Sequence, residues 1–177
     1  MNTLVEIDPY AQLTGPTTLV INRLLPGPRD RVWRYITQSD LRAKWLASGE
    51  MPLEPGAEFS LTWNNGEIGD PPAPRDTPVA PHTMACRMIE ADPPTRLHYE
   101  WIDVGDVTFE LSDHADGVLL TLTHARLTTG ANRLNVLAGW HAHFEALEAV
   151  CAGRPRADLM TRHAALKQEY DARTRQG

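Results

Sequence analysis

The sequence is short of cysteine. Its 177 residues include only Cys86 and Cys151, with no paired-cysteine spacing. That argues against a disulfide scaffold and fits a reducing compartment. It is also short of basic charge: 17 Lys and Arg stand against 23 Asp and Glu, a net of −6. An acidic chain makes nucleic acid or an anionic membrane a poor partner for its whole surface. No apolar run reaches the ~18 residues that a membrane span needs. MNTLVEIDPYAQLTG has neither the basic start nor the apolar core of a signal peptide. The expectation is a soluble, cytoplasmic protein.

Catalytic signatures are missing too. There is no G-x-S-x-G, no phosphate loop and no dinucleotide fingerprint. Neither cysteine has a convincing base beside it, and both fall on predicted buried faces. No metal or other cofactor is expected. His141 and Glu145, four apart on a helix, share a face, but a transition-metal site needs three or four ligands and no third stands out.

What is present is alternation. Residues 17–25 read as a first strand, broken by Pro26-Gly27-Pro28. Pro28 suits the opening of a helix over 29–37 that buries Val32, Trp33 and Ile36. Ser39 is placed to cap a second short helix burying Leu41, Trp45 and Leu46. Phe59, Leu61 and Trp63 then alternate along a strand. Five prolines within residues 64–82 exclude a central strand or a helix there and make that stretch a long loop.

Four more strands follow, with inward rows at Met84, Cys86 and Met88; at Leu97, Tyr99 and Trp101; at Val107, Phe109 and Leu111; and at Val118, Leu120, Leu122 and His124. Asp116-Gly117 marks the last hairpin. Residues 132–153 place Leu134, Leu137, Phe144, Leu147 and Cys151 at helical spacing, with Asn135, His143, Glu145 and Glu148 tending to the other, solvated side. Gly139 costs such a helix about 1 kcal/mol against Ala; close approach to another backbone is the expected reason for it. A basic tail, 154–177, carries Leu159, His163, Leu166 and Tyr170 at helical spacing. It packs on its own domain or crosses to a second copy as a homodimer contact. The division expected is a leader (1–16), one domain (17–153) and a helical extension (154–177).

Three motifs carry a family resemblance. PRDRVWRYITQSDLRAKWL, VTFELSDHADGVLLTLTHARL and GWHAHFEALEAV resemble, in order, segments of bacterial SRPBCC proteins (START-like, birch-pollen-allergen-like). The particular group is named after the activator of the 90-kDa heat-shock chaperone's ATPase. The resemblance covers residues 17–153. It implies an α+β helix-grip fold: a curved antiparallel sheet wrapped round a long C-terminal α-helix, with two short helices after the first strand. It also implies a small hydrophobic or aromatic ligand in the cavity between sheet and helix. The lining expected is Phe59, Leu61, Trp63, Met84, Met88, Leu97, Tyr99, Trp101, Phe109, Leu120, Leu122, His124, His141 and Phe144, against the alternative that these residues only fill a core. Two other functions compete with ligand binding. One is a co-chaperone-like interaction protein. The other is a polyketide-cyclase-like or hydrolase-like enzyme using Tyr99, His124, His141 and Glu145 as acid/base groups.

Overall fold

A computed structural model describes residues 7–127 and 132–176. Residues 1–6 of the expected leader lie outside that range. Seven strands form one antiparallel sheet: β1 (Gln12–Gly15), β2 (Thr18–Leu25), β3 (Glu58–Trp63), β4 (His82–Asp92), β5 (Arg96–Trp101), β6 (Gly105–His114) and β7 (Gly117–Ala125). Their order across the sheet is β1-β2-β7-β6-β5-β4-β3. Between β2 and β3 come α1 (Arg29–Thr37) and α2 (Ser39–Arg42); after β7 come α3 (Asn132–Ala152) and α4 (Leu159–Arg175). This is the helix-grip α+β fold.

The alternation predicted from sequence is what shapes the sheet. Leu97, Tyr99, Val107, Leu120, Leu122 and His124 are all fully buried, while their neighbours along each strand face outward. Period-two patterning thus gives the sheet one apolar concave face. α3 lies on it: Trp140 packs edge-on to Phe109 and stacks on Trp101, with ring centroids 6.0 and 5.5 Å apart.

Several expectations need correction. The stretch expected as a loose leader contains β1, which pairs with β2 from Gln12 to Gly15. QLTG has almost none of the β-branched or aromatic character that marks a strand, so the signal was absent. Ser39 does not cap α2; its hydroxyl accepts a bond from the Gly49 N–H at 2.8 Å, and the N-cap position is Gln38. α2 is a single turn, and Leu41 is only half-buried.

The buried residue of α2 is Arg42. Its guanidinium donates to the carbonyls of Ile36, Thr37, Ala47 and Gly49. It therefore satisfies carbonyls at the end of α1 that the helix leaves unpaired, and joins both short helices to the turn before β3.

α3 is not amphipathic in the way expected. His141 and His143 are buried along with Leu137, Phe144 and Leu147, because the sheet covers one side of the helix and α4 the other. Gly153, with φ 70°, ends it. The N–H of Gly153 bonds to Val150 O and that of Arg154 to Ala149 O, at 3.4 and 2.8 Å. This is the left-handed glycine stop that turns a chain sharply, and it returns α4 along α3. Asp158 caps α4 by accepting from the Thr161 N–H at 2.9 Å. Leu159, Leu166 and Tyr170 are buried. Gly139 does not approach another backbone: a Cβ built there meets no atom within 4 Å.

Candidate functional site

The space beside Gly139 is a cavity of about 240 Å³. It opens at one end of the sheet, where β3 finishes at Trp63, β4 starts at His82 and β5 finishes at Trp101. Antiparallel pairing brings these ends together, with Trp63 opposite His82 and Cys86 opposite Trp101. Met84 adds a flexible apolar side chain to that wall. The opposite wall is the Gly139, Trp140 and His143 face of α3, and the first two turns of α4 supply Leu159, Met160 and His163. The tryptophans form a continuous surface: Trp63 meets Trp101 edge-on at 5.4 Å, and Trp101 stacks on Trp140 at 11° between planes.

A strap holds the α4 wall in place. The proline-rich loop crosses to the segment between α3 and α4 and makes two forked ion pairs there. Arg75 binds both Asp158 oxygens at 2.7 Å, and Arg156 binds Asp70 at 2.7 and 2.8 Å. The Arg156 guanidinium holds the Asp70 carboxyl well below the usual range. Burial pushes Asp158 up, but bonds from Thr161, Arg75 and the Ala73 N–H outweigh it and bring it far down. Both ends of the loop, at Asn65 and His82, touch the cavity.

Three histidines are buried, His124, His141 and His143, and of these His143 lines the cavity. His143 is 7% exposed, and its Nδ1 lies 2.7 Å from Trp45 O. A carbonyl accepts, so Nδ1 carries the proton and Nε2 is left with a lone pair. Burial lowers this histidine to about 4, with the bond to Trp45 pulling weakly the other way and His163 adding to the fall. It is neutral at pH 7. The expectation that His143 is solvated is therefore wrong; α4, whose packing partner the sequence left open, covers it.

His124 is also neutral, lowered to about 4 by burial. Its Nδ1 accepts from the Trp140 indole at 3.0 Å, so it braces a wall residue without reaching the cavity. His141 is elsewhere again, with Nδ1 at 2.8 Å from the Tyr170 hydroxyl and Nε2 at 3.5 Å from Glu145. Glu145 in turn is forked by Arg162. Burial raises Glu145, and the bonds from Arg162 and His141 bring it down to about 2. This cluster clasps α3 to α4.

Of the residues expected to line a cavity, Trp63, Met84 and Trp101 do so. Phe59, Leu61, Met88 and Leu97 pack in the closed core, as do Tyr99, Phe109, Leu120, Leu122 and Phe144. The filled centre of the sheet leaves the open space at its rim. The acid/base candidates Tyr99, His124, His141 and Glu145 do not converge on it. Burial also pushes both thiols up, Cys86 to about 12 and Cys151 to about 11.

The family model described as Activator of Hsp90 ATPase homolog 1-like protein matches residues 26–152. The chain belongs to this family. A relative of known structure, a Bordetella parapertussis protein solved by solution NMR, is 35% identical over 91% of this chain and 87% of its own, with a TM-score of 0.74. Two other structures share the fold. CalU16 from Micromonospora echinospora is 21% identical over 88% of this chain and 86% of its own, with a TM-score of 0.59. DynU16, a protein of the dynemicin biosynthetic locus, is 19% identical over 81% of this chain and 50% of its own, with a TM-score of 0.64. None of the curated proteins matches. The family match stops at the end of α3, so α4 and its contribution to the cavity lie beyond it. No helix among the described residues is long and apolar enough to cross a membrane.

Proposed function

We propose that this member of the Activator of Hsp90 ATPase homolog 1-like family binds a small, neutral, planar aromatic molecule in the rim cavity. The observation that carries this reading is the continuous run of Trp63, Trp101 and Trp140 beside a helix position with no side chain. Flat aromatic surfaces stack favourably on flat aromatic ligands. The cavity is smaller than the ~300–1,000 Å³ usual for drug-sized ligands, which suits one or two fused rings. No Arg, Lys, Asp or Glu stands among its lining residues, so an ionised ligand would lose its hydration without a fixed counter-charge.

The test is a titration with naphthalene, followed by quenching of tryptophan fluorescence. At ~0.6 kcal/mol per heavy atom, between the extremes known for small ligands, a probe of about ten heavy atoms binds with a Kd on the order of tens of micromolar. Saturable quenching in that range supports the proposal. Quenching that rises linearly without saturating refutes it.

A further inference from the structure

The cavity has shape, and it also has a polarity. Gly139 and His143 are one turn apart on α3 and so lie one above the other on the same face. Gly139 supplies room: nothing stands within 4 Å of its missing Cβ. His143 supplies a fixed acceptor. The backbone carbonyl of Trp45 takes its Nδ1 proton at 2.7 Å, and Nε2 has no hydrogen-bond partner among the described residues. The ring cannot exchange roles without leaving that carbonyl unpaired in a buried setting, which is costly. The nearby wall has a second acceptor in search of a donor: Asn65 Oδ1 is buried and without a partner among the described residues.

We infer that the site selects aromatic ligands bearing a neutral O–H or N–H donor, such as a phenol, with the ring over Gly139 and the donor on Nε2 of His143. This rests on the cavity being a ligand site and adds which ligand it prefers. The pairing explains why the helix keeps a glycine at a position where Ala would be better for the helix alone. It also gives a partner to the Nε2 of a buried histidine whose Nδ1 is already committed to the Trp45 carbonyl. An anion is disfavoured, because Nε2 carries no proton to offer it.

The experiment compares naphthalene, 2-naphthol, 2-methoxynaphthalene and 2-naphthoate by calorimetric titration at pH 7. 2-Naphthol is expected to bind about tenfold tighter than 2-methoxynaphthalene, the gain of one well-placed hydrogen bond, with 2-naphthoate weakest. His143→Asn keeps an N–H where Nδ1 was and leaves no acceptor at the position of Nε2, its amide oxygen falling where the ring carbon Cδ2 stood. In it the 2-naphthol preference falls to about onefold while naphthalene binding is retained. Gly139→Leu abolishes binding of the whole series.

A second readout needs no variant. The 15N resonance of His143 Nε2 is of the unprotonated type in the free protein and moves upfield with 2-naphthol but not with the methyl ether. If no member of the series binds, the cavity reading itself fails. If naphthalene and 2-naphthol bind equally, or the preference survives in His143→Asn, the cavity reading stands and this inference is overturned.

Discussion

Acid should unfold this protein through two histidines before it touches the carboxylates of the strap. His124 and His143 are both held near 4 by burial, against an ordinary value of 6.5. Between those limits the unfolded chain binds a proton at each and the folded chain does not. Stability rises with pH wherever the unfolded state holds more protons. The contribution is therefore complete above pH 6.5 and is lost as pH falls towards 4. A difference of about 2.5 units corresponds to about 3 kcal/mol for each histidine. Together they amount to a sizeable part of a typical 5–15 kcal/mol stability.

In the middle of the window the slope is about 2 kcal/mol per pH unit, from nearly two protons taken up on unfolding. Asp70 and Asp158 lose their partners' stabilisation only at lower pH, because their values are depressed. Glu148 acts in the opposite direction: burial raises it, so just above its ordinary value acid favours the folded form slightly and softens the slope. The assay is urea denaturation at half-unit steps from pH 7.5 to 4.5. His143→Asn should halve the slope. A stability flat between pH 6.5 and 5 would show that these rings are hydrated or already paired as cations, and would refute the placement of both.

Further outcomes follow from single side chains. Arg42→Met leaves the carbonyls of Ile36, Thr37, Ala47 and Gly49 without their donor; a loss of at least about 3 kcal/mol is expected in chemical denaturation. Gly139→Ala should raise the unfolding free energy by up to about 1 kcal/mol, since the methyl enters open space; destabilisation would mean the position is already filled. Asp158→Ala removes the α4 cap together with the Arg75 fork, and should cost about 2 kcal/mol with early loss of amide protection in the first turn of α4, read by hydrogen exchange. Leu147→Ala, in the centre of α3 and fully buried, should cost about 2–5 kcal/mol by thermal or chemical unfolding.

The sheet was legible in the sequence because each strand states its own inward face. Leu97, Tyr99 and Trp101, or Val118, Leu120 and Leu122, need no neighbour to be read as one row. What was not legible depended on partners distant in the chain. His143 reads as a solvated residue on the polar side of a helix until α4, sixteen residues later, is laid over it. Arg42 reads as surface charge because its partners are backbone carbonyls, which leave no mark in the sequence. Gly139 was noticed but misread, since a glycine that makes room looks the same as one that allows close approach. The site followed the same rule. Trp63, Met84 and Trp101 reach the cavity because they lie at strand ends near the rim, whereas Phe109 packs on Trp140 of α3 and Leu120, on an equally apolar row, is fully buried.

The rim cavity is tested most directly by the five tryptophan indole N–H resonances in a 15N-correlated NMR spectrum. Naphthalene is added stepwise to the wild-type chain. Trp63, Trp101 and Trp140 line the cavity, whereas Trp33 and Trp45 do not. The account predicts that the first three resonances shift and saturate together while the other two hold still. A uniform response of all five, or none from the rim three at saturating naphthalene, would contradict it.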